Sequence, residues 1–185
     1  MARLPAPEQA LTDGVVVLRD WREPDVAQLV EACRDAEIPR WTAVPDLYTD
    51  EDARAWVRGD PLPREPPGDR VSFAIADAEN DDLLLGSISV MRVERGRFGE
   101  IGYWLAPWAR GRGAMAAAVR LLARWAFQEF ALRRIELVIA VDNEASNRVA
   151  ARAGFTREGV LRDYRENKGV WRDHVMWSLL RGELA

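Results

Sequence analysis

The sequence contains one cysteine and one histidine among its 185 residues. Cys33 and His174 therefore cannot form a disulfide within the chain or a metal site of several cysteines and histidines. The net charge of -4 argues against a general nucleic-acid binder, because clustered positive charge is what holds phosphate backbones. No apolar run in the sequence approaches the roughly 18 residues that a membrane span requires. We therefore expect no metal, membrane or nucleic-acid partner.

The length fits one domain, which at this size buries roughly 70% of the surface that the unfolded chain exposes. Residues 1–13 lack an apolar segment followed by a small-residue cleavage site, so they are interpreted as a polar lead-in and not as a signal peptide. Residues 14–185 are then predicted to form a single domain. The absence of a signal peptide predicts a cytoplasmic location.

Strand and helix patterns alternate along the chain and predict a mixed α/β fold. Strand patterns cover 15–21, 71–77, 83–93, 98–106, 134–142, 155–164 and 170–180. Helical patterns cover 24–35, 49–58, 113–130 and 145–152, the second with a capping-box spacing at Thr49. Residues 59–69 are rich in proline and glycine and predict a loop. The nearly continuous apolar run at 134–142 is typical of a strand that is covered on both faces.

The stretch "WLAPWARGRGAM" places Arg110, Gly111, Arg112 and Gly113 between a strand and the longest predicted helix. The first turn of a helix leaves backbone N–H groups unpaired, and the helix dipole adds positive charge there. Glycines let a bulky anion approach that backbone, and arginines donate charged hydrogen bonds to phosphate oxygens. The corner therefore suits a pyrophosphate. A solvated turn without a ligand is the alternative interpretation.

Two common phosphate-binding motifs fit poorly. The chain has no Gly-Lys-Ser/Thr, which a nucleoside triphosphatase loop requires. A dinucleotide-binding G-x-G-x-x-G would place glycine where Ala116 stands and would come early in the chain. The corner therefore indicates neither of these two ligands, and the solvated turn stays an alternative.

From "EIGYWLAPWARGRGAMAAAVRLLARWAF" through "VDNEASNRVAARAGFTREGVLR", the sequence resembles the GCN5-related N-acetyltransferases (GNAT), in particular the branch similar to RimJ and RimL. That family carries R/Q-x-x-G-x-G/A at the pyrophosphate of coenzyme A, and Arg110, Gly113 and Met115 occupy its three positions. Met115 departs from the small residue expected there. Asn143, Ser146 and the Gly-Phe pair at 154–155 match a second motif. The resemblance spans about residues 14–181.

The resemblance implies a mixed, mostly antiparallel sheet flanked by helices, with fourth and fifth strands that splay apart at about 100–105 and 135–141. Acetyl-CoA would lie in the gap as the co-substrate. Asn143 would then contact the pantetheine amides, although a helix N-cap is its simpler role. The residues expected to contact the coenzyme are Trp104, Leu105, Arg110, Gly111, Arg112, Gly113, Ala114, Met115, Asn143 and Ser146.

The implied chemistry is acyl transfer from a thioester to an amine, which needs a base for the amine and an acid for the thiolate. Glu100 is the candidate base, directly or through water, with a structural ion pair to an arginine such as Arg97 as the alternative. Ser146 is the candidate acid, with a role in the first helical turn or in binding alone as the alternative. Cys33 is a weak candidate nucleophile, and His174 is expected to be structural.

The acceptor is the part that the sequence defines least. Trp41, Tyr48 and Trp171 could form an apolar or cation-stacking wall for an amine, and each could equally be an ordinary aromatic. The resemblance suggests a protein N-terminal α-amine or a small-molecule amine. Transfer from another acyl-CoA such as succinyl-CoA, and a coenzyme A sensor without turnover, are the alternatives. Many such domains pair, which leaves a homodimer open.

Overall fold

A computed structural model describes residues 4–60 and 70–184. These residues form one eight-stranded sheet with the strand order β1-β2-β3-β4-β5-β6-β8-β7. Neighbouring strands are antiparallel except β5 and β6, which are parallel. The strands are β1 Leu11–Thr12, β2 Val16–Arg19, β3 Arg70–Asp77, β4 Leu84–Glu94, β5 Phe98–Leu105, β6 Arg134–Ala140, β7 Thr156–Asn167 and β8 Val170–Leu180. The mixed, mostly antiparallel sheet confirms the predicted fold class.

The helices are α1 Asp25–Cys33, α2 Glu37–Trp41, α3 Asp50–Val57, α4 Ala114–Glu129 and α5 Glu144–Arg152, with a 3-10 turn at Pro107–Ala109. Thr49 caps α3 through a complete capping box with Asp52, as the spacing predicted. The sequence patterns did not predict α2 or the 3-10 turn, because each is too short to show a helical period. Most of the loop predicted at 59–69 lies outside the described residues.

The helices cover both faces of the sheet. On one face α4 and α5 pack on a core that includes Phe73, Ile88 and Ile135. On the other face α1, α2 and α3 pack around Ala74 and Leu84. Along β5, Ile101, Tyr103 and Leu105 join the α4 side and Trp104 joins the other side, because successive strand residues point to opposite faces.

The first strand lies inside the predicted lead-in. Leu11 and Thr12 pair with Leu18 and Val17 of β2. The Leu11 side chain also packs against the core under α4. The ordered sheet therefore begins before the boundary predicted at residue 14, because two residues suffice to extend the edge of a hairpin.

The β5–β6 pairing covers only the beginning of each strand. Its register consists of Phe98 with Arg134, Gly99 with Ile135 and Glu100 with Glu136. β6 continues along β8 as far as Ala140, whereas β5 continues along β4 as far as Leu105. The two strands separate beyond Glu100 and open a gap, at the place where the splay was predicted.

The sequence predicts that β6 is covered on both faces, but the structure covers only one face with helices. Ile135, Leu137 and Ile139 are buried against the core under α4. Val138, on the opposite face, lines a cavity. Apart from Arg134 and Glu136 the strand is apolar, but the opening of the sheet leaves one face uncovered by a helix.

Within residues 4–60 and 70–184, no helix is long and apolar enough to cross a membrane. Those same residues bring together no group of three or more histidine, cysteine or acidic side chains that could hold a metal ion.

Candidate active site

Two cavities meet at the gap between β5 and β6. The first, here called the corner cavity, has a volume of about 380 Å³ and lies between α2, the end of β5 and the beginnings of α4 and α5. The second, here called the strand cavity, has a volume of about 320 Å³ and runs between the separated strands. The residues that line both are Trp41, Thr42, Tyr103, Trp104, Asn143 and Ser146. A molecule in either cavity therefore reaches the same polar groups.

The beginning of α4 forms one wall of the corner cavity. Gly111 and Gly113 both have φ +81°, a conformation that L side chains rarely adopt, and a Cβ at either position would meet no atom within 4 Å. Gly113 is the N-cap of α4, and no side chain caps this helix. The N–H groups of the first turn are consequently free of a capping side chain and lie beside open space.

The two arginines at this corner are partly engaged by the protein. Arg110 forms a two-pronged ion pair with Asp35, at 2.8 and 3.2 Å, and also donates to the Leu105 carbonyl. The pairing with Arg110 lowers the pKa of the Asp35 carboxyl. Arg112 donates to the Trp108 carbonyl at 2.9 Å. Arg110 therefore connects the loop before α2 to the glycine-rich corner.

Met115, which departs from the family motif, is only 2% exposed. Its side chain belongs to the core under α4, as does that of Ala114. Its side chain thus packs mainly in the interior, and the small part that remains accessible lines the corner cavity. The departure therefore has a packing explanation.

The beginning of α5 forms the opposite wall. Asn143 caps this helix, with its Oδ1 accepting a hydrogen bond from the Ser146 N–H at 3.1 Å. The structure therefore contains the helix N-cap that was the simpler role for Asn143. Within the part of the chain that the structure describes, its Nδ2 has no hydrogen-bond partner, although Asn143 lines both cavities. The amide remains able to donate to a bound molecule.

A tyrosine that the sequence analysis did not select lies beside Ser146. The hydroxyl of Tyr103 is 2.8 Å from the Ser146 Oγ and 3.4 Å from the Ser146 carbonyl oxygen. Burial raises the pKa of Tyr103. Tyr103 and Ser146 are 43 positions apart in the chain, so no local spacing could have linked them.

Glu100 lines the strand cavity, with a side chain that is 8% exposed. Both of its oxygens accept from Arg165, at 2.6 and 2.7 Å, and Arg92 lies 3.4 Å from Oε2. Arg97, suggested as a partner for Glu100, pairs with Glu94 instead. The carboxylate therefore faces the cavity that the gap creates, and Arg165 holds it there.

The three aromatic acceptor candidates have different surroundings. Trp41 lines both cavities and donates its Nε1 hydrogen to Glu37. The guanidinium groups of Arg40 and Arg172 lie 4.5 and 5.5 Å from the centroid of its ring.

Tyr48 and Trp171 line neither cavity. Tyr48 packs against the α1–α3 core, and Trp171 is 58% exposed near the end of the β7–β8 hairpin. The structure therefore places these two candidates away from both cavities, and Trp56 of α3 lines the strand cavity.

The single histidine and the single cysteine have distinct environments. His174 lines the strand cavity, and its Nδ1 is 2.9 Å from the Arg172 carbonyl. Burial lowers the pKa of His174, which favours the neutral ring. Cys33 is 1% exposed in the α1–α3 core and lines neither cavity. Burial raises the pKa of the Cys33 thiol to about 12, so it is a poor nucleophile near neutral pH.

The fold of this chain is similar to that of a solved acetyltransferase structure. Mycobacterium smegmatis RimJ in complex with CoA-disulfide superposes on this chain with a TM-score of 0.78 and 28% sequence identity. The match covers 95% of this chain and 88% of that one. Nearly the whole fold is therefore shared with a protein that binds a derivative of coenzyme A.

The sequence is also similar to those of bacterial acetyltransferases. The chain is 36% identical to a probable N-acetyltransferase, YjcK, of Bacillus subtilis over 73% of this chain and 75% of the relative. It is 36% identical to the ribosomal-protein-serine acetyltransferase of Escherichia coli over 63% of each. The family model described as an acetyltransferase (GNAT) domain matches residues 16–156. The protein thus belongs to the GNAT family, is similar to its RimJ- and RimL-like members, and is an N-acetyltransferase.

Proposed function

We propose that this enzyme transfers the acetyl group of acetyl-CoA to a primary amine by direct attack in a ternary complex. The acceptor is a protein N-terminal α-amine or a small-molecule amine. The observation that carries the proposal is the meeting of the two cavities at the β5–β6 gap, with Ser146 on the wall of both. One cavity can hold the thioester and the other the amine, so that the reacting atoms meet beside Ser146.

The corner cavity supports the coenzyme assignment. The uncapped start of α4 offers free N–H groups to a pyrophosphate, and the glycines leave room for it. The Nδ2 of Asn143, which has no hydrogen-bond partner among residues 4–60 and 70–184, suits a pantetheine carbonyl on the opposite wall. We assign the coenzyme site to Trp104, Leu105, Asn143, Ser146 and the corner residues Arg110, Gly111, Arg112, Gly113, Ala114 and Met115.

The strand cavity supports the acceptor assignment. Trp41, Trp56 and Trp104 give it an aromatic wall that can pack against an amine-bearing chain or stack on an ammonium group. The ribosomal-protein-serine acetyltransferase among the relatives favours a protein acceptor, and the N-terminal α-amine is the form we propose. A matched pair of peptides that differ only in a free or a blocked N-terminus tests this assignment directly.

Glu100 is the proposed base. Because Arg165 occupies both carboxylate oxygens, the proton of the incoming ammonium is best transferred through a water that shares one of those oxygens. A purely structural ion pair is the competing role. The Glu100→Gln variant separates them through its pH dependence.

If Glu100 is the base, the rate deficit of Glu100→Gln shrinks as the pH rises through the pKa of the acceptor, about 8 for an α-amine. The amine is then already deprotonated and needs no base. A deficit that is equal at all pH values would assign Glu100 to structure alone. Melting curves of both proteins at each pH show whether the variant remains folded.

Coenzyme binding itself is tested by thermal unfolding with and without acetyl-CoA. A ligand at 100 times its Kd stabilises the fold by about 2.7 kcal/mol, and each kcal/mol raises Tm by roughly 2–4 °C at this size. We expect a shift of several degrees that disappears in the Arg110→Ala/Gly113→Asp variant. Gly96→Asp is the control, since Gly96 also has a positive φ and open space at Cβ but lies outside both cavities.

Acyl-chain preference is measured on the same protein with a panel of acyl-CoAs. Turnover fastest with acetyl-CoA supports the proposal, whereas faster turnover with succinyl-CoA would assign a different donor. Tight binding of coenzyme A without turnover, across free amines and peptides, would favour a sensor and contradict the proposed reaction.

A further inference from the structure

Tyr103 and Ser146 join the two sides of the gap by a hydrogen bond. Tyr103 lies on β5 beyond the last residue that pairs with β6, and Ser146 lies in the first turn of α5. We propose that Tyr103 is a positioning residue that holds the Ser146 hydroxyl with its proton directed at the departing sulfur. This inference rests on the proposed acetyl transfer. It assigns a function to the hydrogen bond between Tyr103 and Ser146, which the proposed reaction alone does not explain.

The direction of the hydrogen bond is part of the proposal. Among the described residues, both acceptors within reach of the Tyr103 hydroxyl belong to Ser146, namely Oγ at 2.8 Å and the carbonyl oxygen at 3.4 Å. Either hydroxyl can donate across the 2.8 Å contact, and the proposal assigns the single proton of Tyr103 to Oγ, the closer acceptor. The hydroxyl proton of Ser146 is then left for a third group. Since Ser146 lines both cavities, that group is a molecule bound where they meet.

The remaining contacts of Ser146 fix its backbone and not its hydroxyl. Asn143 Oδ1 accepts from the Ser146 N–H, which sets the position of the residue at the start of α5. Rotation about the Cα–Cβ bond would still swing Oγ among three staggered positions. Tyr103 selects one of them, because its own ring packs against the core under α4.

Burial also determines what Tyr103 can contribute. The raised pKa of Tyr103 keeps its hydroxyl protonated near neutral pH. It therefore donates a hydrogen bond throughout the reaction and does not give up its proton. Partial negative charge on Oγ is stabilised by that donor during the transfer.

The proton balance is simple for a neutral amine. The amine nitrogen forms a bond to the carbonyl carbon, and the carbon–sulfur bond breaks with its electron pair going to sulfur. Ser146 gives its proton to sulfur and takes one proton from the nitrogen that attacked. One proton moves from nitrogen to sulfur in total, while Tyr103 stays unchanged.

Tyr103→Phe tests the proposal, since it removes only the hydroxyl. We expect kcat to fall about 10-fold or more, with KM for acetyl-CoA within about twofold of the wild-type value. Ser146→Ala should lower kcat at least as much, and the double variant should be no slower than Ser146→Ala, because both changes break one chain of hydrogen bonds. Tyr48→Phe is the control, since it also removes a tyrosine hydroxyl but lies outside both cavities.

A second measurement does not depend on turnover. A donor aimed at sulfur stabilises the thiolate, so the thiol of bound coenzyme A should ionise at a lower pH in the wild-type protein than in Tyr103→Phe. The ultraviolet absorbance of the thiolate reports that ionisation. Melting temperatures of all variants show that the fold is retained.

The outcomes separate the two proposals. Unchanged kcat and unchanged thiol ionisation in Tyr103→Phe would overturn the positioning role and leave acetyl transfer intact. A raised KM with unchanged kcat would assign Tyr103 to binding and also overturn it. A wild-type protein that neither binds coenzyme A nor acetylates any amine would overturn the proposed function, and the role of Tyr103 with it.

Discussion

α4 and α5 both begin at the gap between the splayed strands, but their N-termini are built differently. α4 begins at Gly113, with a positive φ and no capping side chain. α5 begins at Asn143, whose side chain caps the helix and fixes Ser146. α3, which does not line the corner cavity, has the full capping box of Thr49 and Asp52. An uncapped start leaves its N–H groups for a ligand, whereas a capped start holds a side chain in place for chemistry.

The largest effect should come from giving α4 a side chain at its N-cap. Gly113→Asp places a carboxylate where the proposed pyrophosphate binds and imposes a strained φ. We expect the affinity for coenzyme A to fall roughly 100-fold, equivalent to about 2.7 kcal/mol, because charged hydrogen bonds are lost and repulsion is added. Calorimetric titration measures the change. Affinity within twofold of the wild-type value would show that the α4 start is not the anion site.

Removing the cap of α5 should have a smaller effect, on both the stability of the fold and the affinity for coenzyme A. Asn143→Ala should lower the free energy of unfolding by about 1 kcal/mol, as for other N-caps. It should also weaken coenzyme A binding by about 10-fold through the lost amide contact. Denaturant unfolding and titration measure the two quantities.

Thr49→Ala is the matched control for Asn143→Ala. It should cost about the same stability, since it also removes an N-cap, and should leave coenzyme affinity unchanged. Equal losses of affinity in both variants would mean that helix fraying, and not contact with the ligand, explains the effect at Asn143.

The smallest effect concerns the loop before α2. Asp35→Asn removes a negative charge that engages Arg110 beside the proposed pyrophosphate site. We expect coenzyme affinity to rise about two- to fivefold, since exposed ion pairs of this kind are weak. Weaker binding in the variant would show instead that Asp35 orients Arg110 for the ligand.

The same ion pair predicts a pH dependence of stability in the ligand-free protein. Because the pKa of Asp35 is lowered in the folded state, its contribution is present above the unfolded-state pKa and is lost as the pH falls through the folded-state pKa. The stability difference between wild type and Asp35→Asn should therefore narrow in acid. Denaturant unfolding at a series of pH values measures it, and a constant difference would contradict the role of the charge.

Features with a local origin could be predicted from the sequence. The α3 cap depends on residues three positions apart, and α4 follows from one apolar stripe and the glycines before it. The contacts that organise the site could not be predicted from the sequence, because they join segments that are distant in the chain. Glu100 and Arg165 are 65 positions apart, and Asp35 and Arg110 are 75 apart. In a chain so rich in arginine, the sequence offers many partners for each carboxylate and no means of choosing among them.

The aromatic acceptor candidates show the same limit. Trp41, Tyr48 and Trp171 are equivalent by composition, and only Trp41 lines the cavities. Trp41 lies at the gap because it is the last residue of α2. A five-residue helix that contains Pro39 is too short to show a helical period in the sequence. Tyr103 is hidden for a different reason, because strand alternation gives its face but not its partner on α5.

The burial of Cys33 has a practical consequence for studying the reaction. Acyl transfer releases one free thiol from coenzyme A for every acceptor modified, and a colorimetric disulfide reagent can count those thiols continuously. The only cysteine of this chain is enclosed in the α1–α3 core, with a thiol that stays protonated. The native enzyme should therefore give no background signal, so that every candidate amine can be screened without mutating the protein.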